Sequence, residues 1–368
     1  MDCPDSSLVS AAEYMRKFTR LAADKRVPLC GTFDITRECN LSCVHCYAKG
    51  CNSSNAGAGG AQRLAAGRMA RLLDECADAG CLYVLLTGGD PLMHPDFAGI
   101  YFKAKMNGMF VSVFTNGTNV KEEILNLFQD LPPRQIEVTV YGGTAETNDR
   151  ITGVPGSFKR CLGGIEKMLE RKLNVGLKTI LMKENAGELD LIEDIAARYG
   201  LNFRFDACLF PRLDGDAAPL KLRMGAEAVV DKEFAREKIA SEWSGLHERH
   251  GKVEQTDLLY WCGAGVTAFY VSPDGMLQPC MMVRSVTYNL ADGDFKSGWR
   301  DIASRMSTKM LEEKSACRGC ERRGVCGYCP GFFEMETGSE NVPSQYLCEV
   351  GAGRLARILS AKKARIEE

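Results

Sequence analysis

Between residues 31 and 207 the apolar positions switch repeatedly between two periods. "GTFDIT" (31–36), "CLYVLLTGG" (81–89), "FVSVFTNG" (110–117), "QIEVTVYGG" (135–143), "VGLKTIL" (175–181) and "LNFRFDA" (201–207) are short, rich in β-formers, and often end in Gly or Asn. Between them lie "AQRLAAGRMARLLDECADAG", "PDFAGIYFKAKMNG", "VKEEILNLFQ", "SFKRCLGGIEKMLERK" and "GELDLIEDIAARYG", whose apolar residues recur every three or four positions. Several close on Gly, which tolerates the left-handed conformation at a helix C-terminus. Six strand–helix units predict a parallel sheet with right-handed crossovers. Six is short of the eight that close a full barrel. The expected class is therefore α/β, a partial (β/α)6 TIM-like barrel.

The flanks read differently. Residues 1–30 hold one helix and no room for a separate peptide-docking domain, the barrel runs over 31–210, and "NSSNAGAGGAQ" (52–62) is a flexible loop by composition. Residues 211–261 form a connector, "PRLDGDAAP" and then one or two amphipathic helices. From 262 to 350 short turns such as "SPDG" and "CRGCERRGVCGYCPG" replace long periodic runs, which predicts a separate small module stapled by something other than an apolar core. Residues 351–368 read as a closing helix, and no internal repeat is visible.

Composition narrows the partners. A formal charge of −2 gives no sign of a nucleic-acid or other polyanion partner. There is no signal peptide and no apolar run of membrane-spanning length, so the expected compartment is the reducing cytoplasm. There, 17 cysteines need a reason other than disulfides. Cys3, Cys30, Cys51, Cys76, Cys81, Cys161 and Cys208 are scattered singly and read as buried or idle thiols. The other ten cluster.

Three of the ten lie in "CNLSCVHCY": Cys39, Cys43 and Cys46. A closed zinc site wants four ligands, and no fourth His or Cys follows at customary spacing. Three thiolates on a loop past the first strand suit a 4Fe–4S cube with one iron left open. The location fits, because sites on parallel barrels gather at the C-terminal ends of strands. The motif resembles the signature of the radical S-adenosylmethionine (SAM) superfamily, whose members bind the amino and carboxylate groups of SAM to that iron. "TGGDP" (87–91) resembles the family's GGEP motif, with Asp for Glu: Gly88 and Gly89 would let the backbone approach the SAM ammonium, with Asp90 nearby. "TNG", with Asn116, is also a family habit. "VTVYGGTAETNDRITGVPGSF" resembles the segment whose hydroxyl meets the ribose and whose Arg meets the carboxylate, which suggests Thr139 and Arg150. His45 and Tyr47 complete the implied SAM-binding set. The residue at 45 is usually aromatic and packs on adenine, which imidazole can imitate; the alternative for His45 is acid–base work.

The remaining seven are Cys262, Cys280 after "DGMLQP", Cys317-x2-Cys320-x5-Cys326-x2-Cys329, and Cys348. CxxC pairs are also common zinc grips. This set is similar to the SPASM extension of radical SAM enzymes that modify peptides, such as PqqE-type enzymes, subtilosin-type thioether synthases and mycofactocin maturases. The resemblance implies two auxiliary 4Fe–4S clusters: Cys317, Cys320, Cys326 and Cys348 on one, and Cys262, Cys280 and Cys329 on the other. Relatives with a full complement carry a further cysteine between the positions of Cys262 and Cys280, and this chain has none there. Anaerobic sulfatase-maturating enzymes place a catalytic Asp after the cysteine corresponding to Cys280. Met281 stands here, which disfavours that activity.

The resemblance implies an enzyme that reductively cleaves SAM to a 5′-deoxyadenosyl radical and abstracts a substrate hydrogen. The implied substrate is a ribosomally made peptide, to be crosslinked, converted to a thioether or oxidatively decarboxylated. A small molecule or tetrapyrrole, as in haem-pathway decarboxylases, is the alternative, and a non-catalytic metal-binding protein a third. A flavodoxin or ferredoxin would supply electrons, and a separate leader-peptide-binding protein is a further expected partner.

Overall fold

The computed structural model describes residues 10–49, 63–250 and 257–367; the loop expected at 52–62, Cys3 and Cys51 fall outside them. All six expected strands form: β1 (Cys30–Asp34), β2 (Tyr83–Thr87), β3 (Phe110–Thr115), β4 (Gln135–Thr139), β5 (Val175–Ile180) and β6 (Asn202–Asp206). Each pairs in parallel with the next. They build an open partial barrel. Helices α1 (Ala11–Asp24), α2 (Ala66–Asp78), α3 (Phe97–Met106), α4 (Glu122–Asp130), α5 (Ala145–Thr152), α6 (Ser157–Glu170) and α7 (Leu189–Arg198) accompany them.

Strand alternation divides the sheet into two faces. Val84, Leu86, Val111, Val113, Ile136, Val138 and Leu177 are buried beneath the helices, with Leu72, Phe97, Tyr101, Phe128 and Ile165 opposite. Each large apolar side chain so buried contributes about 1.5–3 kcal/mol. The alternate positions line the inside of the barrel, and many of them are polar: Asp34, Thr87, Ser112, Glu137, Thr139, Lys178 and Arg204. In register, Thr139 lies beside Lys178, and Lys178 beside Arg204.

The C-terminal third differs from the expected separate module. Strand β7 (Ala268–Val271) pairs in parallel with β1, and β8 (Met276–Gln278) and β9 (Tyr288–Asn289) follow antiparallel, giving one nine-stranded sheet of order β6-β5-β4-β3-β2-β1-β7-β8-β9. Helices α8 (Ala226–Phe234), α9 (Glu237–His250), α10 (Phe295–Ser307), α11 (Pro330–Thr337) and α12 (Gln345–Glu367) complete the chain. The core is continuous across position 262: Phe33 meets Phe269, which packs on Phe295 and Trp299. A parallel strand arriving from more than 230 residues away leaves no local periodic signal, which is why the sequence suggested a break. The closing helix starts at Gln345 rather than 351, so Cys348 is helical. No helix among the described residues is long and apolar enough to cross a membrane.

Candidate functional site

The chain leaves β1 at Asp34 and runs along the end of β2 before reaching Cys39. Ile35 N donates to Thr87 O (3.0 Å), Gly89 N to Thr36 O (2.6 Å) and Asp90 N to Glu38 O (2.8 Å). A Cβ on Gly88 would stand 2.4 Å from Thr36 O, and one on Gly89 2.3 Å from Glu38 O. This revises the reason expected for the glycines. The backbone they admit is the chain's own thiol-bearing loop, laid directly on the β2 turn. Asp90 is likewise committed within the fold. Its carboxylate, 1% exposed, accepts from Leu92 N (2.9 Å), Thr115 Oγ1 (2.8 Å) and Asn116 N (2.7 Å), bracketing the ends of β2 and β3. Burial raises its pKa, and those three bonds offset part of the rise.

Asn116 is placed on the thiol loop. Its Nδ2 donates to Asn40 Oδ1 (2.8 Å) and reaches Cys39 Sγ at 3.8 Å. The far side of the loop is held by α5, where Ser42 N and Val44 N donate to Thr152 O and Ile151 O (2.8 and 3.0 Å). Cys39, Cys43 and Cys46 thus lie together beyond the end of β1, close enough for neighbouring thiolates to disfavour ionisation of Cys39 and Cys43. Burial, with that mutual repulsion, pushes Cys39 up to about 11 and Cys43 up to about 12. Without a bound metal the Cys39 and Cys43 thiols stay protonated at neutral pH, and an electropositive group is what would hold them as thiolates.

The other SAM-binding candidates divide. Thr139 closes β4 on the inner face. His45 is 8% exposed, its ring packs edge-on to Tyr141 at 4.6 Å, and its Nδ1 is buried without a partner. Burial pushes it down to about 4, so the imidazole is neutral and offers a packing surface more readily than an acid. Tyr47 is tucked beneath the loop against Phe210, and burial raises its phenol well above the ordinary range. Arg150 is not brought to the thiols. It sits on the exposed face of α5 and donates to Glu184 O (3.2 Å), because α5 turns Thr147, Asn148 and Ile151 inward instead. The sequence reading missed α5 itself, an eight-residue polar helix capped by Thr144. It also missed Asn148, whose Oδ1 accepts from Tyr141 N (2.9 Å).

The seven C-terminal cysteines form two groups. Cys262, Cys280 and Cys329 neighbour one another, with Cys329 at the N-cap of α11 accepting from Phe332 N (3.4 Å) and 3.9 Å from Met282 Sδ. Cys317, Cys320, Cys326 and Cys348 line a cavity of ≈ 50 Å³ together with Arg322, Arg323 and Tyr328. That volume exceeds the ~10–15 Å³ one water needs. Among the described residues no three His, Cys, Asp or Glu side chains converge on a point that would hold a single metal ion.

A nine-stranded sheet that starts as a partial barrel, with three thiols on its first β-turn and seven more beyond, defines an iron–sulfur enzyme of the barrel type. Residues 33–195 match the Radical SAM superfamily. Residues 33–195 are thus a radical SAM domain, a family whose cofactors are SAM and a 4Fe–4S cluster, and the chain beyond them is similar to proteins that carry a SPASM-type extension. The whole chain is 26% identical over 326 residues to the AdoMet-dependent heme synthase of Methanosarcina barkeri, covering 83% of this chain and 92% of that protein. It is 27% identical over 321 residues to the mycofactocin maturase MftC of Mycobacterium tuberculosis, covering 84% and 78%. Streptococcus suis SuiB, in a crystal structure bound to its precursor peptide SuiA, superposes with a TM-score of 0.69 at 15% identity, over 95% of this chain and 83% of SuiB. That last likeness speaks for the fold.

Proposed function

We propose that this enzyme modifies a ribosomally made peptide, with Cys39, Cys43 and Cys46 holding three corners of the SAM-binding cluster. Held there, the cluster and SAM would supply the radical chemistry that removes one hydrogen atom from the substrate. The chain's part is placement and exclusion. The glycine turn and Asn116 fix the thiol loop, Thr139 offers a hydroxyl on the inner wall, and His45 with Tyr141 forms a dry, neutral wall beside it. Cys317, Cys320, Cys326 and Cys348 hold a second cube in their cavity, and Cys262, Cys280 and Cys329 hold three corners of a third. Clusters at these two sites would supply an electron acceptor or an anchor for the substrate. A flavodoxin or ferredoxin in the cytoplasm serves as donor, and a separate protein presents the leader peptide.

The observation that carries this reading is the Cys39–Cys46 loop, which follows β1 and is clamped onto the glycine turn that ends β2. After anaerobic reconstitution the chain is expected to bind about twelve irons and little zinc. Dominant zinc would reject the reading. A second reading, action on a tetrapyrrole or other small molecule, is favoured by the 92% coverage of the M. barkeri heme synthase. Intact-mass measurement separates them: a peptide from the neighbouring reading frame that loses two hydrogens or carbon dioxide supports the first, and turnover of a porphyrin but no peptide supports the second.

A further inference from the structure

Three charged side chains stand on the inner face of β4, β5 and β6, and nothing above uses them. Arg204 donates to Glu137 through Nε (3.0 Å) and Nη2, while Lys178 Nζ lies 3.6 Å from the same carboxylate and 3.0 Å from the centre of the Phe114 ring. Two cations share one anion. Burial pushes Lys178 down to about 7, Glu137 only partly restores it, and Arg204 opposes it further. The pair is short of negative charge.

Beside them a cleft of ≈ 680 Å³ separates β6 from α9, within the ~300–1,000 Å³ usual for ligand clefts. From α9 its wall takes Lys238, Glu242 and Arg249, which have no ion-pair partner among the described residues. Glu233 also lines the cleft but is closed by Arg354. With Glu233 so closed, three cations, Arg204, Lys238 and Arg249, line the cleft against two carboxylates, Glu137 and Glu242. The same cleft runs along the last strand of the sheet. β6 pairs with β5 on one side, and among the described residues no backbone group pairs with its outer side over Asn202–Phe205. An open strand edge is a template for another strand about 4.8 Å away, with main-chain bonds supplying affinity and alternate side chains specificity.

We propose that the outer edge of β6 docks an extended acidic peptide segment, which adds as a further strand and turns its carboxylates toward Arg204, Lys238 and Arg249. The docking site rests on the reading of the substrate as a peptide. It commits to one chemistry, a strand-forming acidic segment, because the excess positive charge and the free strand edge occupy the same cleft.

The test uses the anaerobic holoenzyme at low salt and two fluorescein-labelled probes, Ac-(Glu-Val)4-NH2 and Ac-(Lys-Val)4-NH2, read by anisotropy and by hydrogen exchange. The acidic probe is expected to bind at least about tenfold more tightly than the basic one. Amide exchange across 202–206 is expected to slow on binding. Replacing two exposed cations, Lys238→Glu with Arg249→Glu, should reverse the preference, with iron content and circular dichroism confirming the fold. Equal binding of both probes, or binding that leaves 202–206 unprotected, overturns the proposal. Protection of 202–206 in the free enzyme that vanishes on dilution also overturns it, since the edge would then serve a second copy of the chain. Binding needs no turnover, so deoxyadenosine release by the wild-type enzyme alongside failure of the acidic probe condemns the docking site alone. Absence of deoxyadenosine condemns the enzymatic reading instead.

Discussion

Gly89 has no room for a methyl group, because the Glu38 carbonyl stands 2.3 Å from where its Cβ would go. Backbone, not a flexible side chain, would have to yield. Gly89→Ala is therefore expected to lift the Cys39 loop and lose about a third of the iron, one cube of three, with unchanged far-ultraviolet circular dichroism; full iron loading would contradict the role given to the turn. Asp34, at the end of β1, is 1% exposed. Its Oδ2 accepts from Tyr270 OH (3.0 Å) and Arg37 Nη1 (3.2 Å), and its Oδ1 has no partner. Burial raises it to about 6, against the pull of Arg37 and Tyr270. Between about pH 4 and 6 the folded chain keeps a proton that the unfolded chain releases. Stability is thus highest below about pH 4 and falls as pH rises through 6, by about 3 kcal/mol for this group. Urea titrations of Asp34→Asn across that window should lack the slope, and a slope equal to wild type would refute the assignment.

Among the elements, α12 ties the parts together. Arg354 forms a buried bidentate pair with Glu233 on α8, donates to Val325 O (2.9 Å), and lies 3.8 Å over the Trp243 ring on α9. The same helix carries Cys348. Arg354→Met leaves Glu233 buried and unpaired, and denaturant unfolding should show a loss of about 3–5 kcal/mol; a loss under about 1 kcal/mol would show that the pair holds little. Much at this scale was legible in the sequence. The six strands stood out because β-branched and aromatic runs end in Gly or Asn, and their helices because their apolar faces repeat. Strands β7–β9 did not, since "AFYV" and "MLQ" are too short to show a period and take their partners from distant chain. Helix α10 was hidden among cysteine-rich turns, although Phe295, Trp299 and Ile302 mark its buried face. At the site, residue types were readable and directions were not: Asp90 and Arg150 carry the chemistry expected of them, but hydrogen bonding turns one into a bracket and α5 turns the other outward. Glu137, Lys178 and Arg204 were visible as charges in the middle of strands, and only their register brings them together.

At the scale of the whole molecule one sheet joins the two cysteine regions through β1 and β7, so they are expected to stand or fall together. Ending the chain at residue 261 would remove β7 from β1 and uncover Phe33 and its neighbours. Such a fragment is expected to aggregate; a soluble fragment with native near-ultraviolet dichroism would mean that the barrel folds independently. The central claim is that Cys39, Cys43 and Cys46 support reductive cleavage of SAM. Its most direct measurement is 5′-deoxyadenosine released by the anaerobically reconstituted enzyme after dithionite is added, wild type beside Cys43→Ala. Release by the wild type and none by the variant is the predicted result. No release by the wild type, or equal release by both, would contradict it.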